Sequence, residues 1–423
     1  MNPPRTTSHG NDANEPLLPL SGHQRAIVAT LLLNGPSSRT DLVHNLNLSA
    51  GSLTRLTRPL IDAGILQEQS TNPTQASIGR PSVPLTLNAD RHRFIGIKLT
   101  ATDSHAALTT THAEIEHTIN TPLSVTDATT VLDLMADQIL TLAAHTPHPI
   151  LGVGVTLGGH VAHYSVVTRA DYHGWENLDV AHELQARTGF TIVVDNDIVA
   201  HTEYSSWFGQ GRGAERFALF TLGAGIGFGV VVHGHAVSTP EAGFSLLSHH
   251  RLLTEELLTR VPDPEYVRGS CGHLACARTL FTSGEISRRA SLLLGRDVSA
   301  PEVLTLAKAG APLARQLINV SGYALGQFLA DVANMVLPER IILGGEMCEI
   351  ADVARDALND GLRHFRDSRT TPPALFLDNP DISSWARSAA TLAIHNLFIG
   401  RGALPVGGDN SRCATPDNPT NPR

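Results

Sequence analysis

The feature that most constrains the fold is an alternation of strand-like and helix-like segments that begins near Arg93. Three apolar strand patterns open it, followed by a helix pattern at 126–144, a buried strand at 150–157, and then helix, strand and helix at 178–188, 191–196 and 197–208. A second strand series starts at 217, with a long helix pattern at 312–336, a strand at 340–343 and a closing helix at 384–398. Two such series predict an α/β protein with two lobes and a cleft between them, as in the actin-like, RNase H-like ATPase fold.

The segment before this alternation has a different texture. Between His23 and Gly64 the sequence contains three short amphipathic helix patterns, separated by turns at 34–36 and 47–48. Strand-like pieces at 65–67 and 83–87 then flank a polar stretch. This spacing predicts a winged helix-turn-helix that binds double-stranded DNA.

The second helix of a helix-turn-helix lies in the major groove, so its first turns need small or hydrogen-bonding side chains. Ser49 is placed to cap this helix, Arg55 is suited to guanine because its fork reaches O6 and N7 together, and Arg58 is suited to phosphate. Pro59 leaves open whether the helix bends or restarts. The predicted DNA-contacting residues are Arg39, Thr40, Ser49, Ala50, Gly51, Ser52, Thr54, Arg55, Arg58 and Arg80.

Arg80 belongs to the tripeptide Gly79-Arg80-Pro81 in the predicted wing. Glycine and proline give an extended turn of little bulk, which lets an arginine enter a narrow minor groove. Two alternatives remain, because three helices can form a protein-interaction module and this tripeptide is common in loops. Helix spacing, arginine placement and wing together favour DNA.

Composition limits the remaining choices. The 423 residues are 42% apolar and 17% charged, which predicts a large globular core, and the net charge of −9 argues against a protein that coats nucleic acid. Four cysteines are too few for a disulfide framework. The absence of a long apolar run or signal sequence predicts a cytoplasmic protein without membrane contact. We expect a disordered tail at 1–20, a DNA-binding domain at 21–88, an effector domain at 89–401 and a disordered tail at 402–423.

Several motifs, in a fixed order, resemble one known family. LSAGSLTRLTRPLIDAGIL and GRPSVPLTLN are followed by GVGVTLGG, HGWENLDV, VVDNDIVAHTE, TLGAGIGFGVVVHG and PERIILGGE. Together they resemble the repressor branch of the ROK family, which contains repressors, open reading frames and sugar kinases, over residues 24–398. The resemblance implies a sugar-kinase-like effector domain.

The kinases in this family have two phosphate-binding turns, and the second is retained here as Gly223, Gly225 and Gly227. A tight hairpin turn with positive φ explains these glycines equally well. The first turn is altered, because Lys98 stands where the resemblance implies a carboxylate, and lysine cannot hold Mg²⁺. We therefore expect ATP-dependent phosphoryl transfer to be lost and the protein not to be an enzyme.

The resemblance implies that Asp197 stands at the position of the family's catalytic base. Without a phosphate donor this aspartate would be only a vestigial base. The resemblance makes Asn196, Asp197 and Gly158 the candidates for holding a sugar; the alternative is that the pair caps the following helix. Asp195 is then the residue expected at the surface. The resemblance also implies a glutamate and a histidine that contact the sugar after Gly243, but Phe244 and Leu247 stand at these positions.

The family's zinc loop is incomplete. Cys271 and Cys276 remain, while Gly269 and Leu247 stand where the resemblance implies a cysteine and a histidine. His249, His250 or His273 could substitute only in a rearranged loop. We therefore expect no required cofactor and, at most, a degenerate zinc site at Cys271 and Cys276; two reduced cysteines in a decayed loop are the alternative.

These observations predict a sugar-responsive repressor of carbohydrate genes, in which a homodimer or homotetramer binds a palindromic operator. One alternative is a sugar kinase fused to a DNA-binding module. The other is a constitutive DNA-binding protein whose effector domain only dimerises.

Overall fold

The computed structural model describes residues 20–69, 83–124, 127–237, 246–261, 263–378 and 383–400. Within these residues the chain opens with α1 (Gly22–Asn34), α2 (Arg39–Asn45), α3 (Ala50–Asp62) and an antiparallel pair, β1 (Leu66–Glu68) and β2 (Leu85–Leu87). We call α1 to β2 the N-terminal unit. Its helices all begin at a serine, because the side-chain oxygens of Ser21, Ser38 and Ser49 accept a hydrogen bond from the main-chain N–H three residues later.

Pro59 lies inside α3, and the helix continues past it to Asp62. A helical proline removes the hydrogen bond to the carbonyl group four residues earlier. That carbonyl belongs to Arg55, an exposed residue, so water can replace the missing donor. The helix does not restart at Pro59, which answers the question that the sequence left open.

The first lobe follows. Its elements are β3 (Arg93–Leu99), β4 (Asp103–Thr110), β5 (Ile115–Pro122), α4 (Ala128–Ala144), β6 (Ile150–Leu157), β7 (His160–Ala162), β8 (Val166–Ala170), β9 (Trp175–Asp179), α5 (Val180–Thr188) and β10 (Ile192–Asn196). Among the described residues its main sheet has the order β10-β6-β3-β4-β5, with β10, β6 and β3 parallel. A small antiparallel sheet, β7-β8-β9, lies beside it and was not predicted from the sequence.

The rest of the chain builds the second lobe and two bridging helices. Its elements are α6 (Asp197–Trp207), β11 (Arg216–Leu222), β12 (Ile226–Val232), β13 (His235–Ala236), α7 (Glu255–Leu258), α8 (Ala277–Phe281), α9 (Ser283–Leu294), α10 (Ala300–Lys308), α11 (Pro312–Val336), β14 (Arg340–Gly344), α12 (Ile350–Val353), α13 (Arg355–His364), β15 (Ala374–Leu377) and α14 (Ser383–Ala393). In the described chain the second sheet has the order β13-β12-β11-β14-β15. The predicted two-lobed α/β architecture is confirmed.

The helices α6 and α14 lie between the two sheets. α14 packs on β3, β6 and α6, and α6 in turn packs on β12. A Cβ atom on Gly154 of β6 would lie 1.8 Å from the carbonyl oxygen of Ala389, so only glycine lets α14 approach the sheet this closely. α14 is therefore held by main-chain contact with the first lobe.

One buried apolar cluster joins the N-terminal unit to the first lobe. It contains Ile27 of α1, Trp207 of α6 and Phe398 from the C-terminal end of the described chain. The Arg212 side chain also donates a hydrogen bond to the carbonyl oxygen of Leu33. The N-terminal unit is therefore packed against the bridging helices.

Two predicted boundaries differ from the structure. The closing helix expected at 384–398 ends as an α-helix at Ala393, and Ile394–Ile399 form a π-helix. Leu20, placed in the disordered N-terminal tail, is buried in the apolar cluster; residues 1–19 and 402–423 lie outside the described residues. No described helix is both long enough and apolar enough to cross a bilayer.

Candidate functional site

The exposed side of α3 is the first candidate site. Leu53, Thr57 and Leu60 are buried and fix the rotation of the helix, while Leu56 is half-buried. The opposite side carries most of the predicted DNA-contacting residues. We call these exposed residues the α3 face: Ser49, Ala50, Gly51, Thr54, Arg55 and Arg58. Its small side chains at the start of the helix leave room for close approach of another molecule.

The arginines near this face differ in their partners. Arg58 Nε lies 3.1 Å from Asp62 Oδ1, one helical turn away. Arg39, expected to contact phosphate, lies 2.6 Å from Glu68 Oε1 and thereby ties α2 to β1. Among the described residues, Arg55 is exposed and has no ion-pair partner. Arg55 is therefore the arginine of the α3 face that is most available to a ligand.

The remaining predicted DNA-contacting residues are Thr40, Ser52 and Arg80. Thr40 is exposed at the start of α2, and Ser52 is half-buried with its N–H bonded to the Ser49 cap. Arg80 and its neighbours Gly79 and Pro81 lie outside the described residues, as do Gly243 and Phe244. Nothing in the structure bears on the predicted wing arginine.

The second candidate site is the cleft, which we define by Lys98, Gly158, Asp197 and Trp385. The Lys98 ammonium forms an ion pair with the Asp197 carboxylate, and their side chains are only 8% and 15% exposed. The same ammonium lies 5.2 Å from the centre of the Trp385 ring. Asp197 Oδ1 also accepts a hydrogen bond from the N–H of Ile198. Lys98, which stands where the resemblance implies a carboxylate, therefore binds Asp197, the predicted vestigial base.

Asn196 acts as the cap of α6. Its Oδ1 accepts hydrogen bonds from the N–H groups of Ile198 and Val199, and its Nδ2 donates to the carbonyl oxygen of Gly159 at 2.9 Å. The residue is only 3% exposed. The structure thus places Asn196 in the helix-capping role that the sequence left as the alternative to sugar binding.

The expectation that Asp195 lies at the surface is wrong. The residue is only 8% exposed, and it lies on β10, a strand in which every residue is buried. Burial raises its pKa to about 7, with a smaller contribution from the nearby Glu203, although a hydrogen bond from the Asn196 N–H opposes the shift. Alternation along a short strand does not reveal burial when both of its faces are covered.

Gly158 opens the cleft beside the ion pair. A Cβ atom there would lie 3.8 Å from Asp197 Oδ2 and 3.9 Å from the ring of Tyr172. Tyr172 is 57% exposed, so its ring stands at the rim of the cleft. A side chain at position 158 would therefore contact both the Asp197 carboxylate and the Tyr172 ring.

The retained glycine turn joins β11 to β12, where the Gly223 N–H donates to the carbonyl oxygen of Gly225 at 3.0 Å. The interpretation that these glycines need positive φ is wrong, because none of the three has it. Gly227 is required by packing instead, since its Cβ atom would lie 2.2 Å from the Ile198 side chain of α6. Gly225 faces open space.

A buried histidine that the sequence did not single out connects the cleft to the second lobe. His201 of α6 lies 2.9 Å from Asp378 Oδ2 through Nε2 and 2.9 Å from Ser388 Oγ through Nδ1. Its ring stacks on Trp385 with centroids 4.5 Å apart. Trp385 therefore contacts both Lys98 and His201. His201 lies in the motif VVDNDIVAHTE, but the motif did not reveal its role, which depends on how α6 and α14 cross.

The third candidate site is the Cys/His cluster, formed by His249, Cys271, His273 and Cys276. One nitrogen or sulfur atom from each residue lies within 4.8 Å of all the others. In the folded chain His249 and His273 lie beside the two cysteines, although Leu247 and Gly269 stand at the positions where the resemblance implies the missing ligands. His250, the third candidate, lies 3.1 Å from Asp331 instead.

The separation of the two sulfur atoms matches that expected around a tetrahedral zinc ion. Zinc–sulfur bonds of about 2.3 Å hold two sulfur atoms about 3.8 Å apart. The observed separation of Cys271 Sγ and Cys276 Sγ is 3.7 Å, and Cys276 Sγ lies 4.0 Å from His249 Nδ1. Burial raises the pKa of the Cys276 thiol. For Cys271 the raising effect of burial is outweighed by hydrogen bonds from His273 and Cys276, so its pKa is lowered.

The sequence model of the ROK family matches residues 94–374. Among the relatives, the DNA-binding transcriptional repressor Mlc of Escherichia coli strain K12 is 23% identical over 343 residues, covering 78% of this chain and 82% of the relative. A xylose repressor of Caldicellulosiruptor bescii is 24% identical over 353 residues, covering 79% and 85%. A glucokinase of Halalkalibacterium halodurans is 25% identical over 282 residues, covering 61% and 82%.

Solved structures show the same fold. A ROK family transcriptional regulator, described as a homologue of the E. coli Mlc protein, superposes with a TM-score of 0.71 at 24% identity and covers 88% of this chain and 97% of its own. A ROK family glucokinase from Streptomyces griseus, solved with glucose and AMPPNP, superposes with a TM-score of 0.58 at 20% identity and covers 71% and 98%. The two-lobed part of this chain therefore has the actin-like fold that these regulators and kinases share.

Proposed function

The chain belongs to the ROK family, and from that premise we propose that it is a DNA-binding transcriptional repressor that responds to a sugar or a sugar derivative. The names of the relatives Mlc and xylose repressor support this function. The observation that carries it is the α3 face, on which the exposed Arg55 stands among small side chains. The genes controlled would then be those of carbohydrate uptake or catabolism.

In this proposal the N-terminal unit is a winged helix-turn-helix. α3 enters the major groove, where Arg55 reads guanine through O6 and N7 and Arg58 contacts phosphate. β1 and β2 form the base of the wing. The domain boundaries are those expected from the sequence, with DNA binding at 21–88 and the effector domain at 89–401. Two or four copies of the chain would present paired α3 faces to a palindromic operator.

The DNA proposal is tested with Arg55→Ala and a matched control. Arg315→Ala removes another exposed helical arginine, on α11 in the second lobe, for which the structure gives no ion pair. Operator candidates are the promoters of the gene itself and its neighbours, and fluorescence anisotropy is read at moderate salt with nonspecific competitor DNA. We expect Arg55→Ala to weaken binding at least about tenfold and Arg315→Ala to leave it unchanged. Absence of specific binding by the wild type, or equal affinities of the two variants, would contradict the proposal.

The effector would bind in the cleft without being phosphorylated. The Lys98 ammonium binds Oδ2 of Asp197, an oxygen that a catalytic base would need in order to accept the proton of a sugar hydroxyl. In addition, a lysine at this position cannot hold Mg²⁺. The carboxylate and the ammonium together still offer an acceptor and donors to a polyhydroxylated ligand. The ion pair therefore supports binding and argues against a sugar kinase.

A panel of sugars and sugar phosphates, including D-glucose and D-xylose, tests this part. We expect one member to raise the melting temperature and to change operator affinity, and Asp197→Asn to lose both responses. If no member alters either quantity, the chain is better described as a constitutive DNA-binding protein. A coupled ADP-release assay with hexoses is expected to detect no turnover, and turnover that Asp197→Asn abolishes would contradict the loss of kinase activity.

We further propose that the Cys/His cluster holds a structural zinc ion through two thiolates and two imidazoles. The 3.7 Å separation of the two sulfur atoms supports it. When bound, zinc would fix the loop before α8 to the turn Leu246–His249. His249, Cys271, His273 and Cys276 would each supply one ligand atom.

Metal content tests the zinc proposal without reference to DNA binding. We expect about one zinc per chain by mass spectrometry in protein purified without chelators, and a thiolate-to-cobalt absorption band after cobalt exchange. Cys276→Ser and His273→Ala should lose the metal. His250→Ala and Cys348→Ser, which alter a neighbouring histidine and another buried cysteine, should retain it. Wild-type protein that binds neither zinc nor cobalt would contradict the proposal.

A further inference from the structure

A further buried pair of a carboxylate and a histidine lies along α6, beyond the cleft. Glu203 in the middle of α6 and His395 in the C-terminal π-helix approach to 3.1 Å between Oε2 and Nδ1, and their side chains are 6% and 12% exposed. The ring of His395 also lies 5.0 Å from that of Trp207, near the end of α6. We call Glu203 and His395 the joint. Separating a buried pair is costly because each charged group would lose its partner, so we expect a displacement of Glu203 to displace His395 as well.

The two helices that meet at the joint both start at the cleft. α6 begins with Asp197, which binds Lys98, and Glu203 lies six residues further along, about 9 Å at 1.5 Å per residue. α14 carries Trp385, whose ring faces Lys98, in its first turn. A change at the Lys98–Asp197 ion pair therefore acts directly on the first turns of both bridging helices.

The far end of the joint contacts the N-terminal unit. Phe398, three residues after His395, is 2% exposed and belongs to the same buried cluster as Ile27 and Leu31 of α1. The turn after α6 also reaches α1, through the hydrogen bond from Arg212 to the Leu33 carbonyl oxygen. The joint thus lies between the cleft and the helix that supports α3.

The joint ends in a π-helix, an element for which an α-helical register is the alternative. π-helical turns are rare and frequently occur at functional sites. Conversion of Ile394–Ile399 to the α-helical register would rotate Phe398 and Ile399 relative to α1 while α14 stays seated on its sheet. Energetic coupling between distant sites needs an element of this kind, with two states that both sites can bias.

We propose that Glu203 and His395 transmit the state of the cleft to the N-terminal unit. Both are positioning residues: neither touches DNA or the space beside Gly158. When a ligand takes Asp197 from Lys98, α6 shifts, Glu203 carries His395 with it, and the π-helix repacks against α1. This inference rests on the proposed sensing function, but the coupling itself can be measured without DNA or an effector.

Hydrogen–deuterium exchange of the full chain tests the coupling. Lys98→Met breaks the ion pair in the cleft and stands in for the ligand, Glu203→Gln breaks the joint, and the double variant closes the cycle. The reporter is the peptide Gly22–Asn34 of α1, and α11 (Pro312–Val336) reports global unfolding. We expect Lys98→Met to raise exchange in α1 at least about fivefold relative to α11, and to raise it less than about twofold in the Glu203→Gln background.

The controls separate a joint from general destabilisation. Glu256 and His364 form a pair of the same residue types on the surface, 3.7 Å apart and 46% and 50% exposed. Glu256→Gln should leave the effect of Lys98→Met intact. His395→Gln serves as the second test of the joint if Glu203→Gln does not fold, and should reproduce the loss of coupling.

Two results of the exchange experiment would contradict the proposed role of the joint. The joint is excluded if Lys98→Met leaves exchange in α1 unchanged, or if it raises that exchange equally in the Glu203→Gln or His395→Gln background. Failure of the DNA or effector experiments alone would remove the proposed function and leave the measured coupling in place. The two proposals therefore fail by different measurements.

Discussion

The α3 face and the cleft are both candidate binding sites, but their polar side chains are in opposite states. On the α3 face the side chains are exposed, and Arg55 has no ion-pair partner among the described residues. In the cleft the groups satisfy one another, since Lys98 binds Asp197 and Asn196 binds Gly159. A partner can therefore reach Arg55 on the α3 face without breaking an ion pair, whereas a ligand that binds Asp197 must replace its ion pair with Lys98. That requirement makes the cleft suitable for sensing.

The largest expected effect separates the two sites by stability. Lys98→Ala leaves a carboxylate that is 15% exposed without its ammonium, so we expect the free energy of unfolding to fall by about 3 kcal/mol. Lys308→Ala is the matched control, because Lys308 pairs with Glu349 on the surface, at 53% and 44% exposure, and should cost less than about 0.5 kcal/mol. Urea denaturation measures both. Equal costs would mean that the cleft pair is as solvated as a surface pair.

The second prediction concerns the buried Asp195. Its pKa is raised to about 7 in the folded protein from 3.8, so between these values the unfolded state releases a proton that the folded state keeps. The Asp195 contribution to stability is therefore present at low pH and is lost as the pH rises toward 7. Relative to the wild type, Asp195→Asn should gain about 2 kcal/mol of unfolding free energy between pH 5 and pH 7.

Denaturation curves at a series of pH values check this prediction. Asp352→Asn, which changes an exposed aspartate of α12, serves as the control and should keep a constant difference from the wild type. His395 acts in the same direction at higher pH. Burial lowers the pKa of His395, but the raising effect of Glu203 is larger, so the pKa in the folded protein lies above its usual value. The stabilising positive charge of His395 is therefore lost as the pH rises through this raised pKa. A pH-independent difference for Asp195→Asn would mean that the carboxylate is already ionised in the folded protein.

The contrast between the sites also explains how much the sequence could predict. The α3 face follows from local rules, because Ser49 caps a helix whose apolar positions fix its rotation. The glycines, Lys98 and Asp197 were identified by their order along the chain. Their pairing was not, because it depends on β3 and α6 meeting across the cleft. His249 and His273 were named as possible ligands, but only the folded loop distinguishes them from His250.

The third prediction tests the helix cap of the α3 face. Ser49→Ala removes the acceptor for the Ser52 N–H, and we expect a loss of about 1 kcal/mol of stability together with weaker DNA binding. Ser299 caps α10 in the second lobe in the same manner, through the Glu302 N–H. Ser299→Ala should therefore cost a similar amount of stability and leave operator affinity unchanged. If both variants bind DNA equally well, the start of α3 does not lie against DNA.

The smallest effect is expected from Asp62→Asn. Arg58 and Asp62 are 76% and 60% exposed, so their ion pair should contribute less than about 0.5 kcal/mol to stability. The substitution frees Arg58 and removes a negative charge near the α3 face, so operator affinity should rise about threefold at low salt, a gain that higher salt should reduce. Asp360→Asn, which breaks the similarly exposed Arg363 pair on α13, should change neither stability nor affinity. Because this change barely affects the fold, a gain in affinity confined to Asp62→Asn would assign Arg58 to the DNA surface. No gain would leave Arg55 as the only arginine of the α3 face with a proposed role.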